Sequence, residues 1–298
     1  MLLSPAGADG TVPPALACRV GRLVHSSMQH AESSRLIRQE LSGHDPEKKI
    51  WQASALASLC TATAFAQARS LLEQVVDGAP AHATAWARLA GLNSLDALLR
   101  LSGDWHPGRS GEYLAQAATA VLLDPGNPAA FHALSTAHRS AGNVDSALAC
   151  AMHAVDIAPS NWRSWQALAE AQQACRDRKG AWRSIRIALN GQACPPPSLH
   201  AACASILWTL EQPPAALVAA DRALAAAPHC WPAQLVRLLC LHAPGREQAT
   251  ADQAAAIRRE FPRLTMRAMA ERCACSVPGL QPGIVEAALS CGMPMPAL

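Results

Sequence analysis

Apolar side chains recur at three- and four-residue intervals along most of the chain, and Gly or Pro closes each apolar stretch. The segment 128–161 shows the pattern best, because Phe131 and Leu134 share one face of a predicted helix that Gly142 ends. A second predicted helix carries a stripe of small residues and stops at Pro159: Ala147, Ala151 and Ala154. Small side chains let two helices cross closely, so the pattern predicts a helical hairpin.

The hairpin pattern repeats along the chain. Pro125 precedes Pro159 by thirty-four residues, and Pro228 precedes Pro262 by the same interval. We therefore predict six units, of which the second has an insertion around 95–109: 49–82, 83–127, 128–161, 162–196, 197–230 and 231–264. The fourth unit departs from the pattern, because Arg176 stands at the mid-unit Gly position and Ala193 where Pro is usual.

These positions resemble the tetratricopeptide repeat (TPR), which has large apolar and Leu–small positions, a mid-unit Gly, two Ala and a closing Pro. The resemblance implies an all-α fold, an α-solenoid of about six TPR helical hairpins. Hairpins of this kind must stack, because one hairpin cannot bury its apolar face alone. The remaining predicted regions are a disordered start, an N-terminal helix and a C-terminal helical cap: 1–16, 17–48 and 265–298.

A second resemblance covers less of the chain. The insertion and the tail after Pro262 are similar to the repeat region of bacterial adenylate-cyclase-like and winged-helix transcriptional regulators. In that family the repeats follow a cyclase or DNA-binding domain. Residues 1–48 are too short for a cyclase and show no recognition helix. The resemblance therefore implies only the sensing or binding half of such a regulator, and no catalytic residue can be carried over.

Composition agrees with a helical repeat protein and narrows its function. Half of the residues are hydrophobic, 64 are Ala, and only 4% are aromatic. The net charge of +3 argues against a strongly basic nucleic-acid binder. We expect no membrane span, because no apolar run is long enough. We expect no secretory signal, because the first residues lack a basic segment and a long apolar stretch. The eleven Cys have no framework spacing, so we expect reduced thiols and a cytoplasmic protein.

The sequence offers no complete set of residues for catalysis or metal binding. It contains no nucleophile elbow, no phosphate-binding Gly-Lys loop and no dinucleotide fingerprint. Cys273 and Cys275 could bind a soft metal, but a zinc site needs four ligands and no second pair is near. We therefore predict no enzyme activity, no catalytic residue, no cofactor and no metal.

The TPR resemblance implies that a peptide binds in the groove lined by the first helices of the units. Repeat position selects nine partner-binding residues: His132, Thr136, Arg139, Arg163, Gln166, Glu170, Gln173, Ser205 and Trp208. The Lys/Asn set with which chaperone-binding TPR proteins hold a terminal carboxylate is missing. Because the nine positions carry both charge signs, we expect a peptide of mixed charge.

The predicted function is a non-catalytic protein–protein interaction module, acting as a scaffold or as a sensing and regulatory protein. Its expected partner is a protein or peptide, and neither nucleic acid nor membrane. Two alternatives stay open: a transcription or signalling regulator fragment lacking its output domain, and a secretion-associated adaptor or chaperone. The neighbouring genes would separate these alternatives.

Overall fold

The computed structural model describes residues 35, 45–99, 107–192, 194–242 and 245–260. Within these ranges it has twelve α-helices, no strand, and one 3-10 turn, Pro107–Arg109, before α4. The helices are α1 Pro46–Ala57, α2 Ala62–Gly78, α3 Ala83–Leu99, α4 Ser110–Leu123, α5 Pro128–Ser140, α6 Val144–Ile157, α7 Trp162–Ala174, α8 Arg178–Asn190, α9 Pro197–Thr209, α10 Pro213–Ala226, α11 Trp231–Leu241 and α12 Glu247–Glu260. The predicted all-α solenoid is confirmed.

Each odd-numbered helix packs on the even-numbered helix that follows it, which gives six hairpins in the described part of the chain. The first helices also contact one another in sequence, α1 with α3, α3 with α5, and so on to α11. The first helices therefore form an inner layer and the second helices an outer one. The predicted C-terminal cap lies outside the described residues, as does nearly all of the predicted N-terminal helix.

The junctions between hairpins repeat in atomic detail. The side chains of Asn127 and Asn161 cap α5 and α7 by accepting hydrogen bonds from backbone N–H groups two residues later. One turn into the first helix, the Nε1 of Trp86 donates to the Pro80 carbonyl at 2.8 Å. The Nε1 of Trp165 donates to the Pro159 carbonyl at 2.7 Å in the same way. The closing Pro therefore both stops one hairpin and anchors the next.

The turns inside the hairpins share one unusual backbone conformation. Among the described residues, a residue with positive φ separates the two helices in five hairpins: Cys60 (55°), Gly142 (80°), Arg176 (63°), Glu211 (60°) and Gly245 (82°). Only Gly adopts this conformation without a steric penalty. Arg176 therefore makes the turn that Gly makes in the third and sixth hairpins, and the hairpin forms despite the local cost.

The stack curves until its first hairpin meets its last two. Cys60, in the α1–α2 turn, packs against a small cluster of buried residues from α9, α10 and the start of α11: Ala201, Ala223, Ala227, Cys230 and Ala233. The thiols of Cys60 and Cys230 are hydrogen-bonded to each other. This contact closes one edge of the inner face.

Each helix in the described ranges is too short or too polar to span a lipid bilayer. The same part of the chain contains no group of three or more His, Cys, Asp or Glu side chains that could hold a metal ion. Cys273 and Cys275 lie outside the described residues, so the structure does not place them.

Candidate binding groove

A cavity of about 250 Å³ lies on the inner face of the stack. We call it the central cavity. Its walls come from four successive first helices, α1, α3, α5 and α7. Leu72 of α2, Ser58 after α1, and Pro196 and Ser198 at the start of α9 complete the lining. Small residues create the space, since a Cβ added at Gly91 would meet only the Cβ of Ala133, at 3.8 Å.

Five of the nine residues selected from the sequence line the central cavity: His132, Thr136, Arg163, Gln166 and Glu170. They come from α5 and α7, so the structure brings the predicted residues of the third and fourth hairpins together. The cavity extends further toward the N-terminus than the nine residues implied, because α1 and α3 complete its wall.

Three of the groove residues bind each other. The guanidinium of Arg139 forms an ion pair with the carboxylate of Glu170. The Nε2 of Gln166 donates to the other oxygen of that carboxylate at 2.8 Å. Arg139 and Glu170 therefore offset each other's charge. The mixed-charge surface inferred from the sequence is reduced to the charges of the other groove residues.

The last three predicted residues lie away from the central cavity. Gln173 and Ser205 are buried, and the Gln173 Nε2 donates to the Ser205 Oγ at 3.5 Å, joining α7 to α9. Trp208 packs against the core between the fourth and fifth hairpins, in a cluster that contains Ile185, Leu199 and Ile206. These three side chains connect hairpins.

Sequence reasoning missed one cavity residue, Arg88. It lies on α3, two residues after Trp86, and its Nε is buried without a hydrogen-bond partner. Arg163 lines the same cavity with its Cζ 4.5 Å from the centroid of the Trp162 ring. Neither guanidinium has a carboxylate partner among the described residues. Repeat position does not select Arg88, because it lies two residues after Trp86, and none of the nine selected residues lies two residues after Phe131 or Trp165.

Burial and like charge shape the electrostatics of the central cavity. Burial lowers the pKa of Arg88, and it lowers the pKa of Arg163 to about 9 with a further contribution from Arg88. Burial is also the main cause that lowers the pKa of His132 to about 4, while the field of Glu170 opposes the fields of three arginines there. At neutral pH Arg163 is therefore charged and His132 is neutral. Arg88 carries a charge as well, because a guanidinium keeps its proton in proteins.

No protein-family model matches this chain, and no curated protein matches it. Solved structures do resemble it. TTC0263, a thermophilic TPR protein of Thermus thermophilus, aligns with a TM-score of 0.51 at 19% identity, over 66% of this chain and 99% of that chain. Human IFIT1, solved as a dimer with m7Gppp-AAAA, aligns with a TM-score of 0.62 at 14% identity, over 93% of this chain and 66% of that chain.

These likenesses concern the fold. At such low identity they show that this chain is a TPR-like helical repeat protein, as its hairpins and junctions indicate. The second likeness spans about two thirds of the IFIT1 chain. What the central cavity binds must be argued from its own residues.

Proposed function

We propose that this chain is a non-catalytic protein–protein interaction module that binds a peptide segment of its partner in the central cavity. The observation that carries the proposal is that four successive first helices of the stack enclose one cavity. Concave faces built from stacked repeats are extended binding surfaces. A scaffold and the sensing half of a cytoplasmic regulatory system both need such a surface and no cofactor.

A peptide suits this surface better than a nucleic acid. The IFIT1 structure contains capped RNA, so a TPR-like stack can hold that ligand. A nucleic-acid interface normally presents a stripe of basic side chains along the backbone path. Here the unpaired arginines of the central cavity are Arg88 and Arg163, the net charge of the chain is only +3, and much of the wall is Ala, Gly and Leu.

The proposal can be tested by filling the cavity. In Gly91→Leu the first added carbon is tolerated, because it meets Ala133 at an ordinary contact distance, and the rest of the side chain occupies the space. Gly111→Leu is the matched control: it makes the same change on α4, where an added Cβ meets nothing within 4 Å. Both changes also remove a helical Gly, so neither should unfold the protein.

Wild type and both variants would be immobilised and exposed to lysate of the native cell, and the retained proteins identified by mass spectrometry. We expect wild type and Gly111→Leu to retain the same partner and Gly91→Leu to lose it. A partner retained equally by all three proteins would move the binding site away from the central cavity. An output-domain protein among the retained partners would favour the regulator role, and a secretion component the adaptor role.

A further inference from the structure

We propose that Arg88 and Arg163 together bind a phosphate monoester dianion carried by a side chain of the peptide ligand. The proposal rests on the peptide-binding function above and deepens it by naming the group that anchors the peptide. The ligand class is therefore a phosphorylated peptide segment, and the phosphoryl group lies in the central cavity.

A dianion would offset the positive charge of the central cavity. Arg139 is offset by Glu170, and His132 is neutral, so two positive charges remain without a counterion among the described residues. One carboxylate would offset only one of them. A phosphorylated side chain carries about −1.5 to −2 charges at pH 7 and has three acceptor oxygens, which matches two guanidinium groups.

The Arg88 side chain lacks a hydrogen-bond acceptor, and an anionic ligand would supply one. Its Nε–H is buried and lacks a partner, although buried donors are nearly always bonded. A buried, unpaired charge is costly, so an anion that enters the cavity removes a penalty that the empty protein carries. The planar guanidinium donates in pairs to phosphate oxygens, which a Lys could not do as well.

Arg163 is held ready for the same ligand. Its guanidinium rests on the Trp162 ring, which restricts its position without using its N–H donors. The Arg88 charge lowers the Arg163 pKa, so the two guanidinium groups are close enough for their charges to interact. The two arginines come from the second and fourth hairpins, so one anion between them would also connect the hairpins that form the cavity.

The residues that line the central cavity favour a peptide as the carrier of the phosphate. Small apolar residues flank the arginines, namely Ala87, Gly91 and Ala133. They fit an extended chain that approaches closely, whereas an RNA strand would require further phosphate contacts. Recognition of phosphorylated segments by Arg clusters is an established mode of peptide binding.

The test measures calorimetric affinity for four probes with the full chain at fixed ionic strength. The probes are a pentapeptide of Ala with a central phosphoserine, the same peptide with Ser or with Glu at the centre, and a 5′-phosphorylated tetra-adenylate. The proteins are wild type, Arg88→Gln and Arg163→Gln. The matched control is Arg186→Gln, because Arg186 also lies over a Trp ring, that of Trp182 at 5.8 Å, on an exposed part of α8.

We expect wild type to bind the phosphoserine peptide at least about tenfold more tightly than the Ser and Glu peptides. Arg88→Gln and Arg163→Gln should each lose at least about tenfold of that affinity, and Arg186→Gln should lose none. The ligand-free Gln variants should melt no lower than wild type, because each removes a partly buried, unpaired charge. Arg→Lys at either position should bind with intermediate affinity.

Three results would overturn the proposal. The first is equal affinity for the phosphoserine and Glu peptides, which would show that a monoanion suffices. The second is full affinity in both folded Gln variants, and the third is tighter binding of the tetra-adenylate than of the phosphopeptide. If one of these occurs while Gly91→Leu still loses the cellular partner, the peptide-binding function stands and only the phosphate inference fails.

Discussion

Arg139 on α5 and Glu170 on α7 form an ion pair that joins the third hairpin to the fourth. Their side chains are only 8% and 20% exposed, so the pair is largely out of water. At the sequence level both residues are candidates for ligand binding. In the structure each offsets the charge of the other, and the charge left for a ligand belongs to Arg88 and Arg163.

The ion pair predicts a measurable coupling. Arg139→Gln, Glu170→Gln and the double variant would be unfolded in urea. We expect a coupling free energy of about 1–3 kcal/mol, because removing one partner leaves the other charge partly buried. The control cycle uses Arg178 and Glu211, which are 3.7 Å apart but mostly exposed, and should give at most about 0.5 kcal/mol. Equal coupling in both cycles would show that Arg139 and Glu170 are solvated.

His132 makes the stability depend on pH. Its pKa is about 4 in the folded protein and about 6.5 when unfolded, so below pH 6.5 the unfolded chain binds a proton that the folded chain does not. Stability is therefore lost as the pH falls from 6.5 toward 4. Between pH 7 and pH 5 the free energy of unfolding should fall by about 1–2 kcal/mol more in wild type than in His132→Gln.

The pH comparison uses urea unfolding at both pH values. Burial also lowers the pKa of His138 and His200, but both proteins contain these groups, so their contributions cancel in the difference. Parallel pH curves for the two proteins would mean that His132 titrates normally. The groups whose fields act on His132 are unchanged in the variant: Arg88, Arg139, Arg163 and Glu170.

The small-residue stripe of α6 predicts intolerance of larger side chains. Ala147 is fully buried, and its carbonyl accepts a hydrogen bond from the Ser135 hydroxyl at 2.8 Å across the hairpin. Ala147→Leu should overpack this crossing and cost about 1–3 kcal/mol in thermal or urea unfolding. Ala149→Leu makes the same change at an exposed position of α6 and should be nearly neutral. A neutral effect at both positions would contradict the hairpin register.

The hairpin turns predict opposite effects of one exchange. Arg176 has φ 63° and Gly142 has φ 80° at equivalent turns. Arg176→Gly should relieve the left-handed backbone and raise stability by up to about 1 kcal/mol, and Gly142→Arg should lower it by about 1–2 kcal/mol. Differential scanning calorimetry measures both, and a loss of stability in Arg176→Gly would show that the Arg176 side chain outweighs its backbone strain.

The sequence alone determined the hairpins. Periodic apolar positions, Ala stripes, and Pro or Gly at fixed intervals act through local geometry, within about thirty-four residues, so they can be read along the chain. Even Arg176, a departure from the pattern, could not change the hairpin, because packing on both sides fixes the turn. Five of the nine groove residues reached the central cavity for the same reason, since repeat position fixes which face of α5 and α7 they occupy.

Tertiary structure decided which side chains face a ligand and which face each other. The curvature of the stack is the sum of small rotations between hairpins, which no local pattern encodes. That curvature brings Arg88 and Arg163 to one cavity and Cys60 against Cys230. It also pairs Arg139 with Glu170 and buries Gln173 with Ser205. Side chains at equivalent repeat positions thus differ in role, because burial and charge pairing depend on neighbours from other hairpins.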